Sequence, residues 1–158
     1  NLYLAYIYLR YENKAYKARQ YLENLASEYP NNSYFKSKLI ECMVSQNDYE
    51  LIMPLILELS TKQDQYYVFC SEVYFGVYQE KYKRNNRLAE QHYKRALEIS
   101  HQFVNKGLYY KSLCKLGMGK ISEERGDRSE AEMYYKEAAA IDDSDQVTKE
   151  AKQRLKNL

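Results

Sequence analysis

Chemistry requires polar groups that converge, and the residue types able to supply them are few and scattered. His92 and His101 stand nine residues apart, not at the i, i+4 spacing that puts two imidazoles on one helical face for a metal, and no HExxH occurs. Both are expected at the surface or at a groove edge. Gly117-Met118-Gly119-Lys120 has the look of a phosphate-loop fragment but lacks the GxxxxGKS/T spacing and follows no strand pattern. Its glycines are expected to be close-packing positions. The adjacent acids Glu123-Glu124 and Asp142-Asp143 point to different faces of a helix or lie at its end, so neither pair makes a carboxylate dyad. Cys42, Cys70 and Cys114 are far apart with no CxxC, and read as small apolar packing residues, not as a zinc knuckle or a disulfide framework. No Ser or Cys stands in a nucleophile constellation. The expectation is a chain that is not an enzyme, with no metal and no cofactor.

Two features could serve binding instead. From Lys81 to Arg95 the basic residues Lys81, Lys83, Arg84, Arg87, Lys94 and Arg95 are interleaved with Tyr82 and Tyr93, a mixture that nucleic-acid binders use. The cluster centres on an expected interhelical turn, where charge is ordinarily just solvated, and the net charge of the whole chain is only +2. Tyr74, Tyr78 and Tyr82, at i, i+4 and i+8, form a stripe on one helix that either packs in the core or faces a partner. Most of the 19 tyrosines are expected at packing positions, where the ring is buried and the hydroxyl reaches water or a carbonyl.

The elements that must carry these residues are helices. Five Gly and two Pro in 158 residues are too few turn formers for a β-rich chain. With 45% hydrophobic and 29% charged residues the chain is neither a disordered tail nor a polybasic arm. Its longest apolar run, Leu51 to Leu57, falls far short of the ~20 residues a membrane helix needs. Four stretches repeat one pattern. Asn47-Asp48-Tyr49 leads into Ile52, Ile56 and Leu59, and Ala18, Leu22 and Leu25 precede Tyr29-Pro30-Asn31-Asn32. Asn86-Arg87-Leu88 leads into Ala89, Tyr93 and Ala96, and Gly126-Asp127-Arg128 into Ala131, Tyr135 and Ala138. Offsets of four and three set each trio on one helical face, and small residues there let antiparallel helices approach closely. The first residues of the trios are spaced by 34, 37 and 42 residues.

These residues resemble the tetratricopeptide repeat family, whose units are helix pairs with a Gly-Asp turn and an Ala, aromatic, Ala signature on the second helix. The resemblance covers essentially the whole chain, and Gly119 sits where the family places a small residue on the first helix. Departures are that no repeat carries the family's Trp, that Ile52 and Leu59 replace both alanines of the second unit, and that the last two units have extra helical turns. It implies an all-α, right-handed α-α superhelix, a solenoid of repeats at about 1–31, 32–62, 63–106 and 107–142 with a capping helix at 145–158. The helix pairs predicted are 2–12 with 15–28, 33–46 with 49–60, 64–83 with 87–105, and 108–125 with 128–141. Asp127 and Glu130 have capping-box form, Gly107 is expected as a left-handed helix end, and Pro54 is expected to kink its helix. The first helix, apolar on several faces from Leu2 to Tyr11, suggests that further repeats or another chain cover it, self-association included. Starting at Asn1, the chain is expected to be part of a longer protein, of open compartment.

In the family the first helices line a concave surface that binds a partner peptide or domain. The resemblance thus implies a protein-binding scaffold or adaptor, with Tyr34, Ser37 and Glu41, then Tyr74 and Tyr78, then Leu116, Lys120 and Glu123 facing inward. An insertion in its turn leaves the third register open by one residue. A family subgroup grips a terminal carboxylate with Lys and Asn on the first helix of its opening repeat and Lys and Arg on that of its third; the matching positions here hold Tyr3, Ile7, Val73 or Tyr74, and Val77 or Tyr78, so that clamp is not expected. Lys81-x-x-x-Asn85 has its spelling at the wrong end of a helix. The alternatives are a purely structural stretch of a longer solenoid, or a nucleic-acid-binding helical repeat.

Overall fold

The computed structural model describes residues 2–10, 14–141 and 145–158. Asp142-Asp143 and Tyr11 lie outside the described residues. The fold is all-α: nine α-helices and no strand are found among the described residues. They run α1 Leu2–Arg10, α2 Ala15–Glu28, α3 Ser33–Ser45, α4 Ile52–Ser60, α5 Gln65–Val77, α6 Asn86–Ser100, α7 Leu108–Glu124, α8 Arg128–Ala139 and α9 Gln146–Asn157. The chain divides into two compact units, Asn1–Ser71 and Glu72–Leu158, with the division inside α5.

In the first unit α1 packs on α2, α2 on α3 and α3 on α4. The apolar stripes turn inward: Ala18, Leu22, Ile52, Ile56 and Leu59 are buried, and Leu25 at the end of the first stripe is half-buried. Asn32 caps α3 by accepting hydrogen bonds from the backbone N–H groups of Tyr34 and Phe35, which satisfies donors a helix start leaves open. Helix α4 starts at Ile52, three residues later than the sequence suggested. Pro54 therefore lies in the first turn, where it has no intrahelical hydrogen bond to lose, and the expected kink has no cause. Arg19 ties α2 to the α3–α4 connection by reaching Asp48 at 2.8 Å and the Gln46 amide oxygen at 3.1 Å.

The second unit is built around tyrosine rings that fit against glycines. Tyr93 of α6 lies between Gly76 of α5 and Gly117 of α7: a methyl on Gly76 would stand 2.4 Å from Cε1 of that ring, and one on Gly117 2.4 Å from Cε2. Tyr135 of α8 covers Gly119 of α7 in the same way, at 2.5 Å. The glycines of the Gly117-Met118-Gly119 segment are thus close-packing residues, as expected. Helices α6, α7, α8 and α9 pack in sequence, and α9 also touches α7, burying Val147 and Ala151 of its stripe.

Three junctions differ from the sequence expectation. After Val77 the chain continues in a π-helical turn, Tyr78–Tyr82, in which the Lys83 N–H donates to the Tyr78 carbonyl at 3.1 Å. That i to i+5 bond stores one extra residue inside the helix end, and the non-glycine Arg84 follows at φ 55°. Gly107 is left-handed (φ 72°), but it opens α7; α6 has already ended at Ser100. Asp127 caps α8 by accepting from the Glu130 N–H, yet the reciprocal half of the capping box is missing. The Glu130 carboxylate turns to the Ser122 hydroxyl at 2.7 Å and to Arg125, while the Asp127 N–H already donates to the Ser122 carbonyl at 2.9 Å.

Candidate functional site

The expected inward residues of the first unit sit together on α3. Ser37 is buried and donates to the Tyr34 carbonyl at 2.8 Å. Glu41, 2% exposed, pairs with Lys38 at 3.1 Å, and the Lys38 ammonium lies 5.5 Å from the Tyr34 ring centre. Tyr34 is half-buried, and is the one of the three expected residues that keeps surface for a partner.

In the second unit Tyr74 and Leu116 are buried, at 1% and 2% exposure. Tyr74 meets the edge of Tyr110, ring centres 5.7 Å apart, so it packs. Tyr78 is half-buried and Tyr82 exposed. The stripe is therefore core at one end and surface at the other, and the π turn sets their rings 5.2 Å apart. Lys120 forms an ion pair with Glu80 of the π turn at 3.2 Å. Glu123 accepts from the Tyr135 hydroxyl and from Arg154 of α9, the latter at 3.2 Å.

Sequence reasoning passed over Glu80, which looks like a solvated acid near a helix end. It is 8% exposed, and its Oε1 is buried and accepts no hydrogen bond, Lys120 being paired with Oε2. Burial, and then the Lys120 ammonium, hold Lys81 below the ordinary range for a lysine. Also passed over was Glu72, whose carboxylate lies 2.7 Å from His92 Nδ1 while the His92 ring stacks on Phe75 at 5.1 Å. His92 is thus half-buried and held at the α5–α6 seam; His101 is exposed. A spacing of 20 residues between acid and imidazole leaves no local pattern to read.

None of the three cysteines is in a disulfide, and all are buried. Burial pushes the Cys42 thiol up to about 12, and its sulfur donates to the Ala15 carbonyl at 3.2 Å. Among the described residues no group of three or more His, Cys, Asp or Glu could hold a metal, and no helix is long and apolar enough to cross a membrane. A cleft of about 330 Å³ opens between α6 and α7, lined by Asn86, Arg87, Glu90, Ile121, Glu124 and Arg125. Its carboxylates are taken: Glu124 accepts from the Asn86 amide at 2.6 Å, and Glu90 is held below the usual carboxylate range by Lys94 and Arg125. The chain matches no protein-family model, no curated protein and no solved structure.

Proposed function

We propose that the chain is a non-catalytic scaffold of tetratricopeptide type, which binds a protein or peptide partner through side chains that the first helices of its pairs leave accessible. The observation that carries this reading is the repeated ring-on-glycine fit, Tyr93 against Gly76 and Gly117 and Tyr135 against Gly119. A large aromatic on the second helix set against a glycine on a first helix, as in the last two pairs, is the packing that the repeat resemblance implies. Such a packing commits one stripe of these second helices to the seam, and recognition falls to the side chains that the first helices leave accessible. The polar groups that remain accessible there, Tyr34 in one unit and Glu123 in the other, suit a peptide better than a dry apolar partner.

The test is site-specific photocrosslinking in a lysate of the source cells. A benzophenone side chain at Tyr34 or at Glu123 should each trap the same partner, whereas one at Met133, exposed on the second helix α8, should trap none. Adducts from Met133 with none from Tyr34 and Glu123 would overturn the assignment of the binding surface.

A further inference from the structure

The turn from the π segment into α6 gathers four cations within seven residues, Lys81, Lys83, Arg84 and Arg87. Among the described residues none of them stands in an ion pair, whereas elsewhere in the same unit Lys94, Lys115, Lys120 and Lys136 each have a carboxylate oxygen at 2.6 to 3.2 Å. The acids nearest this turn are already engaged: Glu80 by Lys120, Glu90 by Lys94 and Arg125, and Glu124 by Asn86. The four charges in this one turn exceed the net charge of the whole chain, +2, and Arg84 and Arg87 are the two exposed among them that no carboxylate or ring of the described residues engages. The fold also holds them in place. The π turn half-buries Lys81, and the left-handed backbone at Arg84 fixes where that residue leaves the helix. The Lys81 ammonium feels the Glu80 and Glu150 carboxylates without pairing directly with either, so it keeps capacity for a further acid.

We propose that this turn is a docking site for an acidic peptide segment of a partner, whose carboxylates pair with Arg84 and Arg87 and extend to Lys81. The two arginines supply the planar forks that carboxylates fit. A nucleic-acid strand is the poorer match. The cations form one compact turn instead of a track along which a phosphate backbone could run. The rings available for base stacking are also covered, since the Lys83 ammonium lies 5.9 Å from the Tyr78 ring centre and 5.3 Å from that of Tyr82. This site adjoins the end of the first helix of the third pair, but it uses neither Tyr34 nor Glu123 and its test does not depend on the reading above.

Fluorescence anisotropy of a short labelled oligoglutamate tests the assignment on the full chain, with oligoglutamine of equal length as the neutral control. Oligoglutamate should bind with an affinity that falls as salt rises, and oligoglutamine should not bind. Arg84→Gly with Arg87→Gln removes two charges at positions that tolerate the change, glycine being at ease at the left-handed site. It should weaken binding about tenfold or more. Lys149→Gln with Lys156→Gln removes the same charge from exposed positions on α9 and should leave affinity unchanged; circular dichroism confirms that both variants fold. Equal weakening by both pairs would reduce the effect to net charge and overturn the proposal, as would absence of oligoglutamate binding. Tighter binding of a single-stranded oligonucleotide at the same salt would assign the patch to nucleic acid instead. Because Tyr34 and Glu123 are untouched by these variants, failure here leaves the crosslinking result intact.

Discussion

At the scale of single residues, the glycines divide by the reason each is needed. Gly117 sits in the middle of a helix, where alanine would ordinarily gain about 0.5–1 kcal/mol. The added methyl would stand 2.4 Å from the buried Tyr93 ring, and that ring is also blocked on its other side by Gly76. Overpacking of this kind costs about 1–3 kcal/mol, so the clash outweighs the propensity gain. Gly117→Ala should therefore lower the urea midpoint, and replacing Tyr93 with leucine in the same chain should recover part of the alanine's penalty. Gly126 meets nothing within 4 Å but holds φ +86°, so its alanine variant should lose stability by backbone strain that no change at a neighbour relieves. These roles were legible in part. Gly117 and Gly119 read as close-packing positions because they fall inside a helical pattern, but nothing local to Gly76 marked it as the second wall against Tyr93. That partnership spans 17 residues of sequence.

At the scale of elements, helix boundaries followed the punctuation of the chain wherever a side chain caps the backbone. Asn32, Asn85 and Asp127 each accept from the first turn of the helix they open. At α4, which starts after Leu51 without a side-chain hydrogen bond, the boundary moved, although α2 and α7 begin where expected without such a cap. The shift changes what Pro54 does. In a helix interior its removal would release about 3 kcal/mol; in the first turn its fixed φ is already suitable. Pro54→Ala should accordingly change unfolding free energy by less than about 1 kcal/mol, and a large stabilisation would show that α4 begins earlier. The π turn was legible only as an insertion that blurred the register. A hydrogen bond reaching one residue further leaves no mark in apolar spacing. For the same reason Glu80 could not be recognised as buried, because its partner Lys120 lies on another helix. Of the expected inward residues, Glu123 is exposed and Tyr34, Tyr78 and Lys120 are half-buried, while Ser37, Glu41, Tyr74 and Leu116 are covered. A one-dimensional stripe identifies a face but cannot say how deeply the neighbouring helices close over it.

At the scale of the whole molecule, the abundance of tyrosine sets the alkaline limit of stability. Burial, followed by the hydrogen bond to Glu123, raises the Tyr135 phenol above its ordinary value of 10.0, and burial raises Tyr66 likewise. A raised phenol keeps its proton in the folded state while the unfolded chain loses it. The stabilisation is therefore fully present below about pH 10 and is lost as pH climbs from there toward the folded values. Absorbance of tyrosinate and helical ellipticity, followed together through that range, should change cooperatively for a share of the phenols. Complete ionisation with helicity intact would contradict the burial described. The same interlocking also limits how the chain can be cut and rejoined. Since the Tyr93 ring rests on helices both before and after its own, the segment that can be exchanged between such proteins is not one helix pair. It is a pair together with the helix that follows, and a crossover in the α6–α7 connection would part the ring from one of its two walls.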